Sequence, residues 1–157
     1  MRVVADTDLL SALFKIGRTN LIYEVLAADK IYITHAVFEE LAKAPFFHDF
    51  VRKVEGIELV SVDKIPQDIQ SAMLGKGESE SIWYALKTNS ILLSNDKKVG
   101  EFAEDLGANV LDIVSFLLLC RDIGILGAND IEHVIKMLEK HDYMGFSQEQ
   151  KRLLMGE

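Results

Sequence analysis

Short apolar runs of strand length recur along this chain, and each is followed by residues whose apolar positions repeat at helical spacing. That alternation constrains the fold more than any other feature. Residues 2–6, Ile31-Tyr32-Ile33-Thr34, Ile57 to Val62, Ser90 to Ser94 and Val110-Leu111 read as strands. Between them, Leu9, Leu10, Leu13 and Ile16 mark a helix, with Thr7 or Asp8 as its cap. Further helices are expected over 19–28, 35–43, 46–54, 66–74 (Pro66 at the start), 78–88, 97–106 and 112–123. The tail reads as helical over 128–140 and 147–155. Strands separated by helices imply parallel βαβ units, and so an α/β fold. With 157 residues, no repeat and no linker, one domain over 1–157 is expected.

Acidic residues close two of the strands. Asp6 follows Val3-Val4-Ala5, and Asp96 follows Ile91-Leu92-Leu93-Ser94-Asn95. In open α/β sheets, ligands bind beyond the carboxyl ends of the strands, where both acids lie. Two more acids stand early in helices. Counting 100° per residue, Val37, Phe38, Leu41 and Ala44 define the apolar face of helix 35–43. Glu40 lies on its flank, roughly 90° from the centre, and Glu39 points to solvent. On helix 78–88, Ile82, Ala85 and Leu86 define the face. Glu78 falls within about 60° of its centre, and Glu80 on the far side, in solvent.

Each acid alone has a structural reading. Asp6 or Asp8 caps the first helix, Asp96 caps helix 97–106, and Glu78 favours a helix N-terminus. Together they are harder to explain. Two carboxylates about 4 Å apart repel by about 4 kcal/mol at an effective dielectric of 20. Carboxylates gathered at one end of a core need protons or cations, and an all-oxygen set suits Mg²⁺ or Mn²⁺. Phosphate chemistry is the first function to test.

Composition sets bounds. Apolar residues make up 49% and charged residues 27%, as in a soluble globular protein. Cys120 is the only cysteine, which excludes a disulfide framework and a cysteine-rich zinc site. The N-terminus enters a strand at once, with no signal peptide, and the apolar run Ile113 to Cys120 is too short to span a bilayer. A cytoplasmic setting without membrane attachment is expected. The net charge of −8 argues against a broad phosphate-tracking surface, although bound cations would invert the field at an acidic site.

Other features carry less. Gly75-Lys76-Gly77-Glu78 lacks the spacing of a phosphate-binding P-loop and reads as a tight turn presenting Glu78. His35, His48, His133 and His141 show no ligand pairing, and Trp83 and Tyr84 read as packing. Leu9, Leu10, Leu13, Phe14, Leu21 and Ile22 are a surplus of apolar positions for so small a sheet. They suggest a homodimer burying on the order of 1,600 Å².

Four segments in order now resemble a PIN domain. They are Val3 to Leu10 around Asp6, Ala36-Val37-Phe38-Glu39-Glu40-Leu41, Gly75 to Ile82 around Glu78, and Leu93-Ser94-Asn95-Asp96. The resemblance covers about 3–155 and points to a prokaryotic branch related to toxins of toxin–antitoxin pairs. It implies a three-layer α/β/α sandwich around a parallel sheet of about five strands. It also implies a ribonuclease with Mg²⁺ or Mn²⁺ held by Asp6, Glu40, Glu78 and Asp96, an antitoxin partner and a homodimer. Ser94 or Asn95 would assist, and Lys76, Lys97 and Lys98 would hold the RNA backbone. The chain departs from that branch at Asn95, where a second acid is expected, and at Gly100, where an arginine is.

Two rival readings remain. Asp6-Thr7-Asp8 has the Asp-x-Asp of a haloacid-dehalogenase phosphatase, with Asp6 as nucleophile and Asp8 as acid, though glycine does not follow Asp8. Hydrolysis by a nuclease would need Asp6 and Asp96 but not Asp8. The third reading is a non-catalytic PIN-fold module that binds nucleic acid or a protein partner.

Overall fold

The computed structural model describes all residues 1–157. Its five strands are β1 (Val3–Ala5), β2 (Ile31–Thr34), β3 (Ile57–Val60), β4 (Ile91–Leu93) and β5 (Asn109–Leu111). They form one parallel sheet in the order β3-β2-β1-β4-β5. Ten helices surround it: α1 (Thr7–Lys15), α2 (Asn20–Leu26), α3 (His35–Ala42), α4 (Phe47–Lys53), α5 (Gln67–Gln70), α6 (Lys76–Thr88), α7 (Lys97–Asp105), α8 (Ile113–Asp122), α9 (Ala128–His141) and α10 (Gln148–Met155). The fold is an α/β/α sandwich.

The period-2 alternation of the strands builds both cores. Val3, Ala5, Ile31, Ile33 and Leu93 face one layer, with apolar residues of α1, α2, α3, α8 and α9. Val4 and Leu92 face the other, with Ile69, Ile82, Ala85, Val99 and Ala103 of α5, α6 and α7. Leu9, Leu10, Leu13, Leu21 and Ile22 are fully or almost fully buried within the chain. They pack with residues of α3, α8, α9 and α10 in the first of these cores.

The expected elements are present, with two local corrections. The helix expected over 66–74 stops at Gln70, and Met73 beyond it takes a left-handed φ of 58°. The expected turn at Gly75-Lys76-Gly77 is instead the start of α6, with Gly75 as its N-cap. No helix is long and apolar enough to cross a membrane.

The strand order decides where a site can form. The chain winds from β1 through β2 to β3, then returns past β1 to β4 and β5. The reversal opens a crevice between the carboxyl ends of β1 and β4. There Ala5 pairs with Leu93, and Asp6 N–H donates to the Leu93 carbonyl at 2.9 Å.

Candidate active site

Asp6 stands at the top of that crevice and is 4% exposed. It caps α1, its Oδ1 accepting from Thr7 N–H at 2.9 Å. The structural and functional readings of this residue therefore both apply. Its Oδ2 lies 3.4 Å from the Ser94 hydroxyl, which in turn lies 3.4 Å from the Asp96 amide. Asp96 caps α7 through Val99 N–H at 3.1 Å. Ser94 is 1% exposed. Its hydroxyl ties the two strand-end acids together.

Burial pushes the Asp6 carboxyl up to about 7, and repulsion from Asp8, then Glu78 and Glu40, adds to it. The Thr7 N–H opposes the shift. Glu40 comes from α3, and its Oε2 accepts from the Thr7 hydroxyl at 2.5 Å. It also lies over Gly77 of α6, where a Cβ would stand 2.7 Å from Glu40 Oε1. Glycine at this position lets the Glu40 side chain of α3 lie directly against the backbone of α6. Glu78, in the first turn of α6, accepts from Gly75 N–H at 3.0 Å.

Asp8 was set aside in the sequence and belongs to this cluster. Although the residue is exposed, its carboxylate turns inward and accepts from Asn95 N–H at 3.2 Å. Burial raises its pKa, the Asn95 and Leu9 amides oppose that, and Asp96 and Glu78 add repulsion. The signal was present as two acids spaced i, i+2 across a strand–helix junction. Because Asp8 shares the centre, losing it no longer separates a nuclease from a phosphatase. Thr7, the partner of Glu40, was also missed, since a hydroxyl at a helix start reads first as a cap.

Glu80 is a correction. It is 7% exposed rather than solvated, and its Oε1 accepts from Ala36 N–H at 3.2 Å. α6 packs against the sheet, α3 and α5 and is buried on more than one side, so a single apolar face misplaces Glu80. Asn95 is committed as well. Its Oδ1 accepts from Ile113 N–H at 3.1 Å, and its Nδ2 reaches Met144 Sδ at 3.9 Å. Lys76, Lys97 and Lys98 are exposed, and Lys97 Nζ is 4.0 Å from Glu101.

The DUF3368 family model, a PIN domain, matches residues 2–154. The chain belongs to the PIN domain family. Members of this family are typically metal-dependent nucleases. Among solved structures, a PilT N-terminus domain protein from Sulfolobus solfataricus P2 is similar at 18% identity and a TM-score of 0.51, covering 94% of this chain and 99% of that one. A domain of a functionally unknown protein from Methanocaldococcus jannaschii DSM 2661 is 23% identical, with a TM-score of 0.48, over 71% of this chain and 90% of that one. No curated protein matches.

The PIN domain's acid centre suits a divalent ion in its donors. All are carboxylates, and the most buried one, Asp6, is pushed up to about 7 by burial first and then by the charges of Asp8, Glu78 and Glu40. As the side chains stand, no three of them close on a common point that would hold an ion. Glu78 and Asp96 are each engaged with a backbone amide of their own helix start, and Glu40 with Thr7.

Proposed function

We propose that this PIN domain is a Mg²⁺- or Mn²⁺-dependent endoribonuclease. The observation that carries the reading is Asp6: a buried carboxylate at the sheet's switch point, opposed by Asp8, Glu78 and Glu40. Such an arrangement is unfavourable unless a cation joins it. The strand-end acids Asp6 and Asp96 would hold the ion. Glu40, Glu78 and Asp8 would complete its oxygen donors, directly or through water.

A bound divalent ion would supply charge neutralisation at the phosphodiester and a lowered pKa for the attacking water. The chain supplies the rest. The Ser94 hydroxyl fixes the Asp6 carboxylate relative to the Asp96 backbone. The Thr7 hydroxyl holds Glu40 beside it. A carboxylate of the cluster takes the proton from the attacking water. Lys76, Lys97 and Lys98 stand exposed at the starts of α6 and α7, where they can hold the phosphates on either side.

The test is cleavage of structured and single-stranded RNAs with Mn²⁺, with Mg²⁺ and with EDTA, using Asp6→Asn as control. Metal-dependent cleavage that Asp6→Asn abolishes is expected. Release of phosphate from a small phosphoester, with a phosphoaspartate at Asp6, would replace the nuclease by the phosphatase. Tight RNA binding without cleavage under any metal would leave a binding module.

A further inference from the structure

A cavity of about 550 Å³ opens directly beside the acid centre. Ser94, Asn95 and Asp96 belong to both. Across from them, Met144 and Phe146 present apolar surface from the stretch between α9 and α10. One face of α7 closes a third side through Gly100, Glu101 and Glu104. The volume falls within the roughly 300–1,000 Å³ of small-ligand sites.

The lining combines an apolar wall with a surplus of acceptors. Asp96 and Asp112 each spend one oxygen capping a helix, on Val99 N–H and Ser115 N–H. Glu101 faces Lys97 at 4.0 Å, and Glu104, on the exposed rim of the cavity, is free to accept. A phosphate inside the cavity would meet this negative charge. A flat, neutral body carrying N–H donors would not, and a nucleobase is such a body. Bases of single-stranded RNA stack on aromatic side chains and are read along their Watson–Crick edges. Guanine presents two adjacent donors there, N1–H and N2–H, which match the two oxygens of one carboxylate. Adenine presents an acceptor, N1, beside its N6 donor.

We propose that this cavity is the subsite for an unpaired guanine flanking the scissile phosphodiester, with Phe146 and Met144 as its apolar wall and Glu104 as the acceptor of its N1–H and N2–H. The proposal rests on the nuclease reading of the acid centre and adds a cut-site preference to it. Gly100 takes part by leaving space. It is buried in the cavity wall, a Cβ there would lie 3.6 Å from Val110 Cγ1, and a longer side chain would extend into the cavity.

Neutral nucleosides test the subsite without involving the metal. Guanosine and adenosine are titrated into the metal-free protein, and chemical shifts of the cavity residues are followed by NMR. Guanosine should bind about tenfold more tightly than adenosine, the discrimination expected of one bidentate contact. Glu104→Gln should abolish that preference, because an amide pairs with either edge. Phe146→Ala should weaken both nucleosides, and Gly100→Leu should exclude both while leaving the fold intact. Equal affinities in the wild type, a preference that survives Glu104→Gln, or no saturable shift with either nucleoside would overturn the proposal. So would saturable binding of spermidine in the cavity without guanosine, which would make it a cation site. A protein that binds guanosine here yet cleaves no RNA would overturn the nuclease reading alone.

Discussion

The two ends of the sheet handle charge in opposite ways. At the amino end, Arg2 donates to the Tyr84 hydroxyl at 2.8 Å, and its guanidinium lies 4.5 Å from the Tyr32 ring centroid. Lys30 stands 2.7 Å from Glu58 beside it. At the carboxyl end, Asp8, Glu78 and Glu40 repel Asp6, Asp96 and Glu78 repel Asp8, and none of the five carboxylates has a cationic side chain bonded to it. Paired charges at a sheet end need no explanation beyond the fold. Like charges held together work against the fold and point to a ligand of opposite sign. The same topology makes both ends, so the difference lies in the residues placed there.

The largest contrast should appear in turnover. Removing one ligand carboxylate from a metal site costs several kcal/mol of transition-state stabilisation, so Asp6→Asn or Asp96→Asn should lower Mn²⁺-dependent RNA cleavage by about a thousandfold or more. Arg2→Met, at the paired end, should leave the rate within about an order of magnitude, as its contacts serve packing. Single-turnover cleavage rates for the variants check this. Similar losses at both ends would erase the distinction between them.

Stability should respond to pH in the direction set by Asp6. An acid raised from 3.8 to about 7 binds its proton more tightly in the folded chain than in the unfolded one. Below the unfolded value both states are protonated and the group contributes nothing. As pH rises from there to about 7, the unfolded chain ionises first and stability falls; above it the penalty is complete. At 1.36 kcal/mol per unit the ceiling is on the order of 4 kcal/mol. In EDTA, the melting temperature should therefore be several degrees lower at pH 8 than at pH 5.5, at about 2–4 °C per kcal/mol. Asp6→Asn should flatten that dependence. Adding Mn²⁺ should restore the wild type at pH 8 and leave Asp6→Asn unchanged. A wild-type melting temperature that rises with pH in EDTA would contradict the raised carboxyl.

Within α6, Glu80 sharpens the comparison, because it is buried and yet compensated. It accepts from Ala36 N–H at 3.2 Å, and removing it leaves that amide without its partner. Glu80→Ala should cost about 1–3 kcal/mol of stability. The Mn²⁺-induced rise in melting temperature should persist, measured by calorimetry with and without the ion. Loss of that rise would move Glu80 into the metal centre.

These residues also show what could be read from sequence. The strands were legible because each is a short apolar run followed by helical periodicity, and Asp6 and Asp96 follow β1 and β4, which a parallel sheet brings to the same end. Glu40 was legible as a flank position because α3 has one buried face. Glu80 was not, because helical counting assumes a single buried face and α6 is packed on more than one side. Asp8 was overshadowed by its neighbour: its place in the first turn of α1 brings it to Asn95, a contact made 87 positions away along the chain. Ser94 and Asn95 were singled out, but their hydrogen bonds to Asp6 and to the start of α8 are long-range events. The apolar positions of α1 and α2 were legible as helix faces, but that they pack with α3, α8 and α9 is a long-range event that helical spacing does not carry.

The smallest effect concerns how Glu40 is held at the acid centre. Gly77 has no Cβ, and one added there would lie 2.7 Å from Glu40 Oε1 and 3.3 Å from Val37 Cγ2. The residue sits in the first turn of α6 with ordinary helical backbone, where alanine is favoured over glycine by about 0.5–1 kcal/mol. Glu40 is exposed and can swing outward, so most of the clash is relieved at low cost, and the contact with Val37 consumes part of the helical gain. Gly77→Ala should thus shift the melting temperature in EDTA by no more than about 2–4 °C, which corresponds to about 1 kcal/mol. The swing breaks the bond from the Thr7 hydroxyl and withdraws one donor from the centre. Mn²⁺ affinity, followed by isothermal titration, should fall by about 10- to 100-fold, the scale of lost support around a metal. Glu40→Gln should produce a similar loss, and the double variant little more, because both act through one carboxylate. If Gly77→Ala kept full affinity while Glu40→Gln lost it, the close approach of α3 and α6 would not be what places Glu40. If both kept it, Glu40 would belong with the paired charges of the other end.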